Sequence, residues 1–265
     1  MKLGVIISTY NNPVWLEKTL WGYMCQKRMA DEIIIADDGS TDETREMINT
    51  FANKLPIKHV WHEDNGFQKT KILNAALRAS ESEYLVFTDQ DCIPRNDFLL
   101  IHESNAQRGH FLSGGYFKLP MDISTQLTQE DIYTQRAFSL RWLKEQGLIW
   151  NFKCTKLINA PWFSLMMNTI TPTKATWNGM NSSGWREDII KVRGFDERMK
   201  YGGEDRELGE RLMNMGIRGV QIRYLAVTLH LDHDRPYKNE EHWKINDSIR
   251  ETTRRLKLTS TEYGL

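Results

Sequence analysis

Up to Asp89 the apolar positions alternate between two textures. Continuous β-rich runs at Leu3 to Thr9, Glu32 to Asp37, Ile57 to Trp61 and Tyr84 to Thr88 predict four strands. Between them, apolar residues recur at helical spacing. Asn12-Pro13 opens one helix carrying Val14, Leu16, Leu20 and Met24. Thr41 or Asp42 caps a second, which runs through Met47 and Ile48 to Phe51. A third spans Gln68 to Ala79 with Ile72, Leu73, Ala76 and Leu77. Strands that are apolar throughout and separated by single helices predict a parallel α/β sheet, covered on both faces and joined by right-handed crossovers.

After Asn96 the rhythm changes. Phe98 to Gln107 reads as a helix, Phe111 to Phe117 as a further strand, and Asp122 to Gly147 as one long polar helix with Tyr133, Phe138, Leu140 and Trp142. Trp150 to Trp177 is rich in Asn, Thr, Pro and aromatic residues and has little period, which predicts a long functional loop. Glu204 opens a helix continuing through Leu208, Leu212 and Met213. Residues 1–235 are expected to form one domain in two halves, 1–95 and 96–235, followed by a helical tail over 236–265.

Composition narrows the function. The 265 residues carry 35 Lys+Arg and 35 Asp+Glu, so no global field draws nucleic acid, and any anion site must be local. Three scattered cysteines (Cys25, Cys92, Cys154) fit neither a zinc site nor a disulfide framework. The N-terminus has no secretory pattern and no run is long enough to span a bilayer, so a cytoplasmic location is expected.

The chemistry collects at strand ends, where ligands bind in open α/β sheets. Asp89-Gln90-Asp91 ends an apolar strand with two carboxylates, and hard oxygen ligands there suit Mg²⁺ or Mn²⁺ and hence a diphosphate. Ser8-Thr9-Tyr10-Asn11 follows the first strand and offers hydroxyls and a ring to a nucleobase; it also reads as a polar turn with a helix cap. In Asp37-Asp38-Gly39-Ser40-Thr41-Asp42 the paired acids exceed what a turn needs, and one can accept a base N–H. Asn65-Gly66-Phe67-Gln68-Lys69-Thr70-Lys71 combines a tight turn, a helix start and Lys71, all favourable to phosphate. Gly202-Gly203-Glu204-Asp205 lets backbone approach a ligand and places two acids in a first helical turn, where one can act as a general base.

Taken in order and spacing, these segments, with Asn74, resemble the family 2 nucleotide-sugar glycosyltransferases, which implies a GT-A fold, a Rossmann-like, mostly parallel sheet flanked by helices. Gly179-Met180-Asn181, Arg186-Glu187, Gly194-Phe195-Asp196-Glu197 and Gly202-Gly203-Glu204-Asp205 resemble a C-terminal galactosyltransferase-type half shared with bacterial chondroitin-polymerase-type domains. The resemblance implies that Ser8, Tyr10, Asn11, Asp38, Asn65, Lys71, Asp89 and Gly203 bind a UDP-sugar. It implies that Asp91 and Asp89 hold Mn²⁺ or Mg²⁺ with a histidine, His233 or His230, the sequence Arg235-Pro236-Tyr237-Lys238-Asn239-Glu240 favouring His233. Asp205, with Glu204 as the alternative, becomes the general base of an inverting transfer to a glycan or lipid-linked saccharide, in bacterial surface polysaccharide or lipopolysaccharide synthesis. Tyr201 departs from the family's frequent Gly-Trp-Gly-Gly.

Two other functions compete. A sugar nucleotidyltransferase needs a Gly-rich basic loop after the first strand, which Ser8-Thr9-Tyr10-Asn11-Asn12 does not supply. A non-catalytic sugar-nucleotide or glycan-binding module has no need of Asp205 and the metal ligands together. Trp162, Phe163, Trp177 and Trp185 either flank an acceptor or belong to the core. Glu241 to Leu258 mixes Trp243, Ile245, Ile249 and Leu256 with Lys244, Arg250, Arg254, Arg255 and Lys257. It reads either as an amphipathic helix resting on the inner face of the plasma membrane or as a helix packed on the core.

Overall fold

A computed structural model describes residues 1–234 and 240–265. Its first half follows the predicted alternation: β1 (Leu3–Thr9), α1 (Pro13–Met24), β2 (Glu32–Asp37), α2 (Asp42–Asn49), β3 (Ile57–Trp61), α3 (Lys69–Ala79) and β4 (Tyr84–Asp89). Next come β5 (Cys92–Pro94), α4 (Phe98–Asn105), β6 (His110–Ser113), β7 (Gly115–Lys118) and the short helices α5 (Met121–Gln126), α6 (Gln129–Tyr133) and α7 (Leu140–Glu145). The chain continues through α8 (Pro161–Ile170), β8 (Ser182–Trp185), α9 (Arg186–Lys191), α10 (Glu204–Asn214), β9 (Arg218–Gln221), β10 (Val227–His230) and α11 (Glu240–Leu256).

Seven strands form the main sheet in the order β3-β2-β1-β4-β8-β6-β9. β3, β2, β1 and β4 are mutually parallel, β8 runs antiparallel to β4 and β6, and β9 is parallel to β6. Leu3, Val5 and Ile7 pack with α1, α2 and α4 residues on one face, while Ile6 packs with α3, α9 and α10 residues on the other, so β1 is buried on both sides as its unbroken apolar run requires. The chain leaves β1 toward β2 on one side and has β4 on the other. Ser8 pairs with Asp89 and Thr9 with Asp37 in register, which places three polar strand ends side by side at the switch point.

The second half departs from expectation in three places. Phe111 to Phe117 is not one strand: β6 stays in the main sheet and β7 joins a three-stranded sheet ordered β5-β10-β7. Gly114 is the break. A Cβ there would lie 2.0 Å from the Asn181 side chain, whose amide donates to the Gly115 and Ala226 carbonyls at 2.7 and 3.0 Å. The expected long helix over 122–147 is divided into α5, α6 and α7, because Thr128 forms a capping box with Asp131, Gln135 takes a left-handed conformation and Ser139 caps again. The expected loop over 150–177 contains a 3-10 turn at Phe152–Leu157 and α8, which begins at Pro161.

The boundary set at 235/236 falls within residues 235–239, outside the described residues, as do Arg235-Pro236-Tyr237-Lys238-Asn239, all but the last residue of the match that favoured His233. The tail itself folds back on the domain. Asn246 donates to the Lys200 and Gly202 carbonyls, Thr253 donates to Glu207, Arg250 pairs with Glu210 at 2.7 Å, and Leu265 N–H donates to the Arg193 carbonyl. α11 thereby braces the loop ahead of α10. No helix of the described residues is long and apolar enough to cross a membrane.

Candidate active site

The ends of β1, β2 and β4 and the starts of α3 and α10 meet around one amine. Ser8 Oγ donates to Asp89 Oδ1 at 2.5 Å, and Lys69 Nζ donates to the same oxygen at 2.6 Å. Lys69 opens α3, whose capping residue Gln68 donates its N–H to Asp38 Oδ2 at 2.9 Å. Desolvation alone would lower the Lys69 amine, but Asp89, Glu204 and Asp205 around it hold it above its usual range. One ammonium thus joins the Asp89 end of β4 to the two acids of α10. Lys71, the expected phosphate ligand, is exposed instead; the lysine that reaches the cluster is Lys69.

Asp38 lies beside this group and is buried, with His62 Nε2 2.7 Å from its Oδ1. Burial raises its carboxyl, against the opposing pull of His62 and the Gln68 N–H. Asp37 is enclosed and binds His59 and the Ser40 N–H, both at 2.8 Å, so it holds the turn. Tyr10 is exposed at the rim, its hydroxyl donating to Asp64 at 2.9 Å. Asn11 cross-links the two loops, donating its N–H to Ser40 Oγ and accepting from the Thr41 N–H at 2.9 Å. Asn65 is exposed in the turn before α3.

Asp91 is buried between two imidazoles. His233 Nε2 lies 2.9 Å and His230 Nε2 3.6 Å from Asp91 Oδ2. Each Nδ1 faces a backbone carbonyl, that of Asp234 at 2.7 Å and that of Leu231 at 2.8 Å. A carbonyl only accepts, so each Nδ1 carries the hydrogen and each Nε2 is turned to the carboxylate, as a donor when protonated and as a lone pair for a cation when not. Three acceptors facing one another are repulsive unless a cation or added protons come between them. Burial pushes the Asp91 carboxyl up, but the two histidines outweigh it and hold it at about 2. Cys92 Sγ donates to Asp91 Oδ1 at 3.3 Å, and burial pushes this thiol well above its usual range, so it stays a neutral donor. One carboxylate and two imidazoles, each oriented through Nδ1, fit a divalent cation of the Mn²⁺ type.

At the start of α10, Glu204 is buried and accepts the Gly202 N–H at 2.9 Å. Burial, reinforced by Asp205, raises its carboxyl to about 7. Asp205 is half-buried and accepts the Gly179 N–H at 3.0 Å and the Arg206 N–H at 2.7 Å. Glu204 has the titration suited to a base near neutral pH, but Asp205 has the access, and a base must first reach the hydroxyl it deprotonates. Gly202 and Gly203 were expected to admit a ligand. They make room for α11 instead: at φ 114° and 87°, their missing Cβ positions lie 2.7 Å from the Trp243 ring and 3.1 Å from Arg250 Cδ. Tyr201 packs edge-on against Phe67 and Trp243, forming an aromatic wall where the family often has Trp. Trp177 is core, Trp185 packs on Tyr84 and Arg108, and Trp162 is exposed.

Sequence reasoning missed Lys69, His59 and His62. Their signal was position: Lys69 opens a helix, and the two histidines lie within and just after the strand that pairs with β2.

The family model described as glycosyl transferase family 2 matches residues 4–155, and that described as the N-terminal domain of galactosyltransferase matches residues 171–234. The chain is 28% identical over 233 residues to a validoxylamine A glucosyltransferase of Streptomyces hygroscopicus subsp. limoneus, covering 81% of this chain and 48% of that protein. It is 26% identical over 283 residues to the chondroitin synthase of Pasteurella multocida, covering 97% of this chain and 26% of that protein. The chain therefore spans about half or less of these relatives. Among solved structures, the mannosyltransferase PcManGT from Pyrobaculum calidifontis, in complex with GDP-Man and Mn²⁺, superposes with a TM-score of 0.60 at 22% identity, over 89% of this chain and 58% of that one. At that identity the shared property is the GT-A fold.

Proposed function

The chain belongs to glycosyl transferase family 2, and from that premise we propose that it moves a hexose or N-acetylhexosamine from a UDP-sugar to a glycan hydroxyl with inversion. Bacterial surface polysaccharide or lipopolysaccharide synthesis is the setting such a reaction fits. The observation that carries the reading is Lys69, which binds Asp89 and faces Glu204 and Asp205, so acids far apart in sequence surround one amine. A binding module has no need of that convergence.

In this reading Tyr10 and Asp38 border the uracil site, the ring for stacking and the carboxylate to accept the base N–H, while Ser8 and Asp89 hold the ribose. Asp91, His233 and His230 would hold Mn²⁺ or Mg²⁺, and such an ion supplies charge neutralisation for the diphosphate. Asp205 takes the proton of the acceptor hydroxyl as that oxygen bonds to the anomeric carbon from the face opposite the phosphate. The sugar–phosphate bond breaks, and its electron pair leaves with the nucleoside diphosphate. Glu204 fixes the Gly202 turn and holds Asp205 at the pocket's edge.

The test is a panel of UDP-, GDP- and CMP-sugars with Mn²⁺, scored for nucleotide release with and without saccharide acceptors. Acceptor-stimulated release of UDP, lost on chelation, is the expected result. Release of GDP or CMP alone refutes the donor, and binding without release refutes catalysis.

A further inference from the structure

Among the described residues, the most exposed large apolar side chains gather far from the β1 and β4 strand ends in sequence. On α8, Trp162 is 70% exposed, Leu165 57%, Met166 42% and Ile170 63%, and their spacing puts them on one helical face. The opposite face, with Ser164 and Met167, is buried. Ile149 at 83%, Trp150 and Phe152 extend the apolar surface just upstream. Tyr224 ties the two segments together: its hydroxyl accepts from Thr155 at 3.5 Å and its ring meets Phe163 edge-on at 6.5 Å. Monomeric proteins rarely expose so much large apolar surface without a use for it.

The segment that carries this surface is cationic. Between Gln146 and Arg186 the chain contains no Asp or Glu, while Lys153, Lys156 and Lys174 fall within it. Lys156 donates to the Tyr116 carbonyl at 3.0 Å; burial lowers its amine, and nearby Arg223 and Lys153 lower it further, which places three cations together. Lys144 lies 5.4 Å from the Trp150 ring, and the neighbouring acid, Glu145, is paired with Arg141 at 3.2 Å.

We propose that the α8 face is a docking surface for an anionic lipid bilayer. Trp162, Leu165, Met166 and Ile170, with Trp150 and Phe152, enter the boundary between headgroups and acyl chains, and the lysines meet anionic headgroups. Aliphatic side chains among the aromatics suit lipid better than a sugar, and a two-fold self-association would bring the lysine-bearing segment against a copy of the same sign. The C-terminal helix turns Asn246, Arg250 and Thr253 onto α10 and the loop before it, and its exposed Ile245 serves as the comparison position. The inference stands apart from the transfer chemistry.

Flotation of the full chain with phosphatidylcholine vesicles, with and without phosphatidylglycerol, tests it. Binding should require phosphatidylglycerol and weaken with salt. The Trp162→Glu/Leu165→Glu variant should lose at least about tenfold in partitioning with an unchanged thermal midpoint, because both positions are solvent-facing. Lys153→Glu should weaken binding, and Ile245→Glu on α11 should not. The proposal is overturned if the unaltered chain does not float or if the double variant floats equally well. Sedimentation showing a dimer that the double variant abolishes, without vesicle binding, assigns the face to self-association instead.

Discussion

Lys69→Met removes one positive charge from among three carboxylates while leaving the side-chain volume nearly intact. The Lys69–Asp89 contact of 2.6 Å corresponds to a gross attraction of about 6 kcal/mol at an effective dielectric near 20. Desolvation of the amine offsets much of that. The two side chains are 20% and 22% exposed, so the net loss belongs at or below the low end of the range for breaking a buried pair, about 2–3 kcal/mol. Its pH dependence is diagnostic. Lys69 pulls the Glu204 carboxyl down, so without it Glu204 ionises at greater cost. The destabilisation should therefore grow above pH 7 and shrink as Glu204 gains its proton below that. Urea unfolding with chelator and without nucleotide, across this pH range, measures it. Combining Lys69→Met with Glu204→Gln should cost less than the sum of the single changes by roughly 1 kcal/mol. A loss below about 0.5 kcal/mol, or one independent of pH, would refute the convergence of these groups.

Glu204→Gln alone should flatten the stability profile. A carboxyl raised in the folded state leaves stability intact below its unfolded value near 4.5 and withdraws it as pH rises to about 7, by about 3 kcal/mol in all; the variant should be the more stable protein at alkaline pH, read by thermal melts. Asp205→Asn should lower turnover by about two to four powers of ten with donor binding retained, and near-normal turnover would remove Asp205 from the base role. The same change should bring the Glu204 carboxyl down, measurable by carboxyl NMR titration. Arg211→Met should cost about 3–5 kcal/mol in urea unfolding, because fully buried Arg211 forks onto Glu207 and also donates to the Val192 carbonyl.

The parallel half was legible because Val5-Ile6-Ile7 and Ile33-Ile34-Ile35 are strands buried on both faces, with no alternation to misread. The later strands were not. Ser182–Trp185 reads Ser-Ser-Gly-Trp and is specified by tertiary partners, Tyr84 and His102, whose side chains hydrogen-bond Ser183. α8 was hidden by its inverted pattern, apolar outside, which defeats a rule that expects polar residues there. In the site, the acids at 38, 89, 91 and 205 were legible as strand-end and helix-start motifs. Lys69 reaches Asp89 while Lys71 is exposed; two residues separate side chains by about 200° of helical rotation, and nothing local says which one faces inward. Both candidate rings, His230 and His233, face Asp91.

Paramagnetic broadening of amide NMR signals by Mn²⁺ in the presence of UDP addresses the shared pocket most directly. Signals of Asp91 and His233 should vanish, those of Gly179 and Asp205 should broaden strongly, and Asp91→Ala should abolish both effects. Broadening confined to the Asp91 side, or unchanged in Asp91→Ala, would contradict a single cation-assisted donor pocket.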